Sequence, residues 1–423
     1  MRSRIGKMLS HRGFTLLETL IAMVVFLIVL AIAAQAFNLI IVQAAKYSKM
    51  EETNIEGVIG LEMLRHDLAQ MGYGLPWGFS KLGTGDLVSS TISYNESADS
   101  IGSNFNDASG GVPRAIVGIG GGASITSSSI LGDYIGIKAT SVGTSSASRR
   151  WTYIPFHNAS TSSGRVSQPV TIGTPPKNSE IVIAINSNFN IPDKDHQLLV
   201  DPSTNSSFST GFGLSGMSNN YLPATDQDTV MLYGINGTNA PRMPFNRVDY
   251  FVSKTAGTVP PFCAPNTGVL YKATVKHSDG TNDLVPVLDC VADMRVVIGW
   301  GTDSSGGISN YSTLPTTIGG TPSDVVGSIS SSTLGSYLTS DANIRKGIKV
   351  IKIYILAQEG KVDNNYTGPA SIVVGADPTA GDNSNAGLPT THNTYTFSSS
   401  QKNYRWKVYR IVVQPKNLAS NQS

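Results

Sequence analysis

Charge is scarce in this chain. Only 14% of its residues are Asp, Glu, Lys or Arg, which is low for a soluble domain. The formal charge is +2, and Arg2, Arg4, Lys7 and Arg12 supply four of the cations within a segment that holds no acid. Without them the balance becomes −2, so there is no basic field for nucleic acid and no nucleic-acid partner is expected. Cysteine is nearly absent, with Cys263 and Cys290 the only two, and neither has His or acid partners at metal-ligand spacing. The six histidines, His11, His66, His157, His196, His277 and His392, are scattered and read as surface or loop residues.

Catalytic patterns are missing too. Neither G-x-S-x-G nor H-E-x-x-H occurs. Gly118-Ile119-Gly120-Gly121-Gly122-Ala123 fits a loose G-x-G-x-x-A. Ser124 to Ser129 follows it, in place of the helix that would aim its amides at a pyrophosphate, so the stretch reads as a hairpin or loop. Ser399 and Lys402 form one S-x-x-K in a strand-loop context. Asp226-Gln227-Asp228 and Asp193-Lys194-Asp195 lack calcium-loop spacing and read as solvated loop acids. No enzyme, cofactor or metal site is expected.

What the chain does have is one long apolar run. Arg12-Gly13-Phe14-Thr15-Leu16-Leu17-Glu18-Thr19-Leu20 leads into a segment that stays apolar to about Ala45. From Leu20 to Ala34 no side chain is charged or strongly polar, and charge resumes at Lys46. Crossing a bilayer takes about 20 such residues. The basic residues ahead of it hold the N-terminus in the cytoplasm by the positive-inside rule. Glu18 needs a reason, because a carboxylate in hydrocarbon costs roughly 2.5–3.5 kcal/mol on insertion scales. Either it snorkels to water at the membrane edge, or it pairs with a cation. A free α-amino group on Phe14, made by cutting after Gly13, would lie about one helical turn away.

The basic leader, Gly13-Phe14-Thr15-Leu16-Leu17-Glu18 and the apolar helix together resemble the signal of type IV prepilins and type II secretion pseudopilins. The resemblance implies cleavage between Gly13 and Phe14 by a prepilin peptidase and N-methylation of Phe14. It also implies a Glu18 that registers neighbouring subunits through an N-terminal amine. An ordinary secretory signal peptide competes with this reading, with Ala34-Gln35-Ala36 as its cutting site. Against it, Glu18 interrupts the start of the apolar region, and Phe37, Leu39, Ile40, Ile41 and Val42 continue that region past the cut. The mature N-terminus is Phe14 on one reading and Phe37 on the other.

Composition and pattern then divide the chain into a cleaved leader (1–13), a transmembrane or filament-core helix half (14–45), an amphipathic helix half (46–76) and a β-rich extracellular region (77–423). The helix is expected over about 14–71, near 85 Å at about 1.5 Å per residue. In its second half Ile55, Val58, Leu61, Leu64, Leu68 and Met71 recur at helical spacing and should lie on a sheet. Glu51, Glu52, Glu56, Glu62, Arg65 and Asp67 fill most of the rest. Gly57 and Gly60 weaken the helix there and suggest close packing or a bend. Gly72, Gly74 and Pro76 end it.

Strands are expected at Leu87–Tyr94, Asp133–Thr140, Trp151–Phe156 and Ile181–Ile185. Further on they are expected at Thr229–Ile235, Arg247–Ser253, Val269–Lys276, Val285–Trp300, Gly347–Ala357 and Tyr404–Gln414. Val248–Val252 and Val269–Ala273 read as an antiparallel pair. Residues 186–227 and 301–340 read as loops. In an oxidising compartment Cys263 and Cys290 suggest a disulfide, worth about 3 kcal/mol; two buried free thiols are the alternative.

Leu64-Arg65-His66-Asp67 through Gly72-Tyr73-Gly74 resembles the helix exit of PilW-family minor pilins. Tyr409-Arg410-Ile411-Val412-Val413-Gln414-Pro415-Lys416-Asn417-Leu418 resembles the end of that family and of the related GspJ pseudopilins. The resemblance implies an α+β, pilin-like fold, with a long N-terminal helix packed on antiparallel sheets. It implies a minor pilin that helps initiate a type IV pilus and enters it near the tip. Its partners would be the prepilin peptidase, other minor pilins, the major pilin and a tip adhesin. It would sit first in the bacterial inner membrane as a single-pass protein, then in the extracellular pilus. Three alternatives stand beside this: a GspJ-like pseudopilin of type II secretion, a membrane-anchored surface adhesin, and a secreted enzyme.

Overall fold

No glycine or proline occurs between Leu16 and Glu56, and the chain there forms the start of a 55-residue helix, α1 (Leu16–Gln70). The computed structural model describes residues 15–81, 92–107, 111–121, 129–156, 170–188, 190, 195–201, 208–213, 221–223, 225–237, 240–301, 307–317, 319–322, 324–375 and 394–419. The leader, Gly13, Phe14 and most of the strand expected at Leu87–Tyr94 lie outside these residues; Ile92 to Tyr94, which are described, are not strand. Contacts divide the chain into two units, one up to Thr53 and one from Asn54. In the first, Leu16–Ile41 forms 26 residues of helix with mean hydropathy 2.8, none of it buried.

The second unit is built on β-structure. Its strands are β1 (Gly78–Lys81), β2 (Ile116–Ile119), β3 (Ile130–Ala139), β4 (Trp151–Pro155), β5 (Val170–Thr174) and β6 (Ile181–Asn188). They continue as β7 (Gln197–Val200), β8 (Thr210–Gly211), β9 (Asp228–Asn236), β10 (Asn246–Ser253), β11 (Gly268–Val275) and β12 (Asn282–Trp300). The last are β13 (Asn310–Thr313), β14 (Val325–Val326), β15 (Ile348–Glu359), β16 (Ser371–Val373), β17 (Thr394–Thr396) and β18 (Arg405–Val413). One sheet runs β1-β7-β6-β9-β4-β5, with β8 on β6. Its β1–β7 pair is parallel and the rest antiparallel. A second sheet runs β14-β13-β12-β11-β10-β3-β2, and β15 joins β12 to β18. The expected antiparallel pair is β10–β11, in register Val248↔Thr274 through Ser253↔Val269. The 19-residue β12 serves three neighbours, β11 through its first half, β15 through its second, and β13 on the other edge of its last four residues.

The C-terminal part of α1 lies on this second sheet. Leu61, Leu64, Leu68 and Met71 are buried in one core with Ile135, Ile137, Tyr250, Leu270, Val287 and Leu288. Burial of each such side chain is worth about 1.5–3 kcal/mol. Ile55 and Val58 do not follow the expected stripe; they are 59% and 63% exposed. The reason is the two glycines. Gly57 rests against Leu288 and Tyr409, and a Cβ on Gly60 would sit 2.2 Å from the Val287 carbonyl oxygen. The bare backbone makes the contact, so the flanking aliphatic side chains turn away from the sheet. The helix ends where Gly72 and Gly74 take φ of +81° and +66°. The exit is bonded to the end of β3: the Gly72 amide donates to the Lys138 carbonyl, and the Thr140 amide to that of Tyr73.

The segment 301–340 is not only loop. Ser331–Thr339 forms α2 and Asp341–Gly347 forms α3. Ser330 and Ser340 cap them, accepting from the Thr333 and Asn343 amides at 3.3 Å each. Leu334, Leu338 and Ile344 face the core, so the strand expected from Gly347 begins at Ile348. Cys263 and Cys290 form a disulfide with Cα atoms 5.0 Å apart, tying the turn before β11 to β12.

The Gly60 contact predicts a sharp asymmetry between glycines. Gly60→Ala puts a methyl against backbone that cannot yield, and should cost about 1–3 kcal/mol. Gly211→Ala, where a Cβ meets nothing within 4 Å, should stay within about 0.5 kcal/mol. Urea unfolding of the detergent-solubilised chain measures both; equal losses would contradict the contact.

Candidate functional site

The apolar helix carries one ionisable group, Glu18, in its first turn. The helix starts on a reciprocal capping arrangement. The Thr15 amide lies 3.3 Å and its hydroxyl 3.4 Å from Glu18 Oε2, while the Glu18 amide donates to Thr15 Oγ1 at 3.3 Å. These bonds are long, and a carboxylate offers about four acceptor positions. The helix N-terminus also favours a negative charge there. Gly13 and Phe14 are outside the described residues, so of the expected N-terminal site only Glu18 is placed. Its oxygen sits beside the amide of the residue that follows Phe14. Leu16 and Leu17 next to it are 83% and 68% exposed.

The other end of α1 holds a second acid, which sequence pattern had put on the polar face. Asp67 is buried. The Tyr250 hydroxyl donates to it at 2.6 Å, and Lys272 Nζ lies 2.6 Å away. Burial, and then the Asp67 charge, push the Tyr250 hydroxyl far above its ordinary pKa. The hub fixes the helix to β10 and β11.

A larger set of buried charges lies beneath residues 96–107. Lys138 reaches Glu96 at 2.8 Å and Asp107 at 2.6 Å. Arg247 bonds Glu96, Asn106, the Gly102 carbonyl and both oxygens of Asp249. Burial opposes the Arg247 charge, but Asp249, Tyr134 and Glu96 around it raise its pKa overall. Asp107 is held below the usual carboxylate range although burial raises it, because Lys138 and Arg114 are beside it. The set is paired throughout and strap-like in role. Sequence reasoning passed over it; the signal was a lysine and an arginine within strands rich in apolar residues, Ile137-Lys138-Ala139 and Arg247-Val248.

The remaining expectations resolve individually. Asp228 is not a solvated loop acid; it is buried and accepts from Thr225, Asn186 and Asn188. Those bonds lower its pKa against the opposing effect of burial. Asp193 lies outside the described residues. Gly118 sits in β2, paired antiparallel to β3, and no helix follows within the described residues. Ser399 begins a short 3-10 turn capped by Ser398, and Lys402 closes it. Among the described residues no group of three or more His, Cys, Asp or Glu is placed to hold a metal ion.

His277 lies in the turn between β11 and β12, a loop histidine as expected, and it is buried there. Burial, assisted by the Arg242 charge, lowers its pKa to about 4. A histidine kept neutral in the folded state adds stability that is complete above about pH 6.5. That stability is lost as pH falls toward about 4. Its share is about 3 kcal/mol. Between pH 7 and pH 4, His277→Gln should therefore lose about that much less stability than the parent chain in urea titrations; superimposable pH profiles would refute it.

Comparison with known families matches residues 8–34 to the prokaryotic N-terminal methylation motif. Comparison with curated proteins gives no match. Among solved structures, a type IV-like pilin from Thermus thermophilus is weakly similar, at 14% identity and a TM-score of 0.22, over 41% of this chain and 69% of that one. The chain thus carries a prepilin-type N-terminal methylation motif, running into an apolar helix, ahead of an α+β region.

Proposed function

We propose that the chain is a minor pilin of the PilW type, which helps initiate a type IV pilus and is incorporated near its tip. One observation carries the reading. The methylation motif over residues 8–34 is continuous with an apolar helix that this chain leaves wholly unburied. On this reading residues 1–13 are the leader, removed by a prepilin peptidase, and Phe14 becomes the methylated N-terminus. The protein first spans the inner membrane through 14–45, and is then drawn into a filament. Other minor pilins and the major pilin cover its helix, and a tip adhesin is a further partner. Glu18 sets subunit register by accepting from an N-terminal amine, a role in which a pair fixes geometry more than it adds stability. The domain 77–423 faces outward, and no catalysis is assigned to it.

Two variants test the processing and the register separately. Gly13→Phe should leave the leader attached, so that the intact mass equals the full sequence. Glu18→Val should be cleaved normally yet be depleted about tenfold or more from sheared filaments. Parent-like recovery of Glu18→Val in filaments would end the register role. A mature N-terminus at Phe37 would end the whole reading.

A further inference from the structure

The buried charges beneath residues 96–107 hold a lysine against two carboxyl groups. The Lys138 side chain, from β3, is 0% exposed, and those of Glu96 and Asp107 are 1% and 5% exposed. Lys138 Nζ lies 2.8 Å from Glu96 Oε1 and 2.6 Å from Asp107 Oδ2. A nitrogen so close to a carboxyl oxygen lies about 3–3.5 Å from the carboxyl carbon, which is the distance from which attack begins. The buried Phe245 ring is centred 5.3 Å from Nζ, and Tyr94 packs edge-on against that ring.

The other partners of these carboxyl groups are fixed as well. Arg114 Nε donates to Asp107 Oδ1 at 2.6 Å, and the Arg114 amide donates to Oδ2 at 2.9 Å. Glu96 Oε1 also accepts from the Asp107 amide at 2.9 Å, and Oε2 accepts from Arg247 at 2.8 Å. Arg247 bonds Asp249 in turn, and Asp249 accepts from the Tyr134 hydroxyl. Three cations, Lys138, Arg114 and Arg247, therefore face three anions, Glu96, Asp107 and Asp249. Lys138 and Asp107 are ionised at rest, with Asp107 held below the usual carboxylate range by Lys138 and Arg114 against the opposing effect of burial. Removing such a pair from water is costly, and a neutral group in the same place avoids that cost.

We propose that Lys138 and Asp107 condense into an intramolecular amide, with Glu96 as the proton relay. The ammonium passes a proton to Glu96, and the freed amine attacks Asp107 Cγ. The Nζ–Cγ bond forms and the Cγ–Oδ2 bond breaks. Oδ2 leaves as water, with two protons that came from the ammonium through Glu96. The third proton stays on the amide nitrogen, and Glu96 ends ionised as it began. Nothing is oxidised or reduced, and no co-reactant enters. Arg114 Nε steadies Oδ1 while negative charge builds on it. In the product the new N–H faces Glu96 Oε1 and the new carbonyl faces Arg114 Nε. One cation and one anion vanish together, so Arg114 and Arg247 stay balanced by Glu96 and Asp249. The reaction occurs once per chain and is not turnover. The bond ties the irregular segment to β3 at the residue whose carbonyl accepts from Gly72, where α1 ends. It involves the globular unit alone and does not depend on the fate of the N-terminal helix.

The test is mass spectrometry of the full chain, purified in detergent, reduced, and digested with trypsin after unfolding. One branched peptide should join Asp107 to Lys138, lighter than its two parts by about 18 Da, one water, with no cleavage after Lys138. Asp279-Gly280 could lose the same mass by closing on its own backbone, so the digest and not the intact mass decides. Glu96→Gln can still accept from Nζ but cannot relay protons as a carboxylate does, and should lower the linked fraction of freshly made chain about tenfold or more. Asp107→Ala should carry no link. Separate Asp107 and Lys138 peptides from the parent chain overturn the proposal, and so does a mass loss confined to Asp279. A folded Glu96→Gln that links as the parent does overturns the relay. If a variant fails to fold, the parent digest decides by itself.

Discussion

Water is the wrong solvent for the first unit. From Leu16 to Ile41 the helix has mean hydropathy 2.8 and buries none of this surface against its own chain. At about 25 cal/mol per Å² of apolar surface, covering this stretch offers a large gain, and among the described residues most of the exposed large hydrophobic side chains lie on it. A helix satisfies its own backbone hydrogen bonds, so hydrocarbon costs its main chain nothing. Lipid tails and other apolar helices are therefore interchangeable as its surroundings. On the proposed reading, that interchange would let one segment serve first as a membrane anchor and then as the inside of a fibre.

The second unit treats the same kind of surface differently. From Gly57 onward the helix meets a sheet, and contact is made first by missing side chains and then by large ones. Gly57 and Gly60 let the backbone reach β12, after which Leu61, Leu64, Leu68 and Met71 fill the space. Asp67 then fixes the helix's position with two short polar contacts, to Tyr250 and Lys272. Apolar packing alone tolerates small slips; a buried acid with two assigned partners does not. The charges under residues 96–107 act alike. They bind an irregular segment to β3 and β10 with named partners, where an apolar patch would hold it less specifically. The disulfide ties the turn before β11 to β12 in the same sheet.

Most of the architecture was legible because its signals are local. The helix and its stop follow from an unbroken aliphatic run and from Gly72, Gly74 and Pro76. The strands β9 to β12, β15 and β18 follow from β-branched and aromatic runs, and their observed bounds differ from expectation by a few residues at most. What escaped depends on partners distant in sequence. Periodicity assigned Ile55 and Val58 to the buried face, because it counts apolar residues and cannot see that glycine makes the contact. It assigned Asp67 to solvent because Tyr250 and Lys272 lie nearly two hundred residues or more away. The helices α2 and α3 hid in Ser/Thr/Gly-rich sequence whose propensity is poor; Ser330 and Ser340 as caps were the available clue. The loop position of His277 was legible, but its burial within that turn was not.

Two acids on one helix show how a carboxylate's unused capacity relates to its role. Asp67 is closed: enclosed by the core, it has a hydroxyl and an ammonium at 2.6 Å each. The exposed His66 ring lies 3.6 Å from its other oxygen. Glu18 is open: its contacts come from Thr15 at 3.3 and 3.4 Å, and its surroundings are exposed. In water that is an ordinary helix start. Moved into an apolar bundle, the same carboxylate loses its solvent while keeping only two weak local bonds. It is then under-satisfied, and the deficit can be met only by a donor brought from elsewhere. The donor geometry is set by the first turn, which holds Oε2 toward the amide of Thr15 and so toward the N-terminal end of the helix. Replacing Glu18 by an apolar residue would remove that demand without disturbing the bundle's packing. On the proposed reading the acid's contribution would be selective: it would leave one alignment of neighbouring helices satisfied and the others short of a bond.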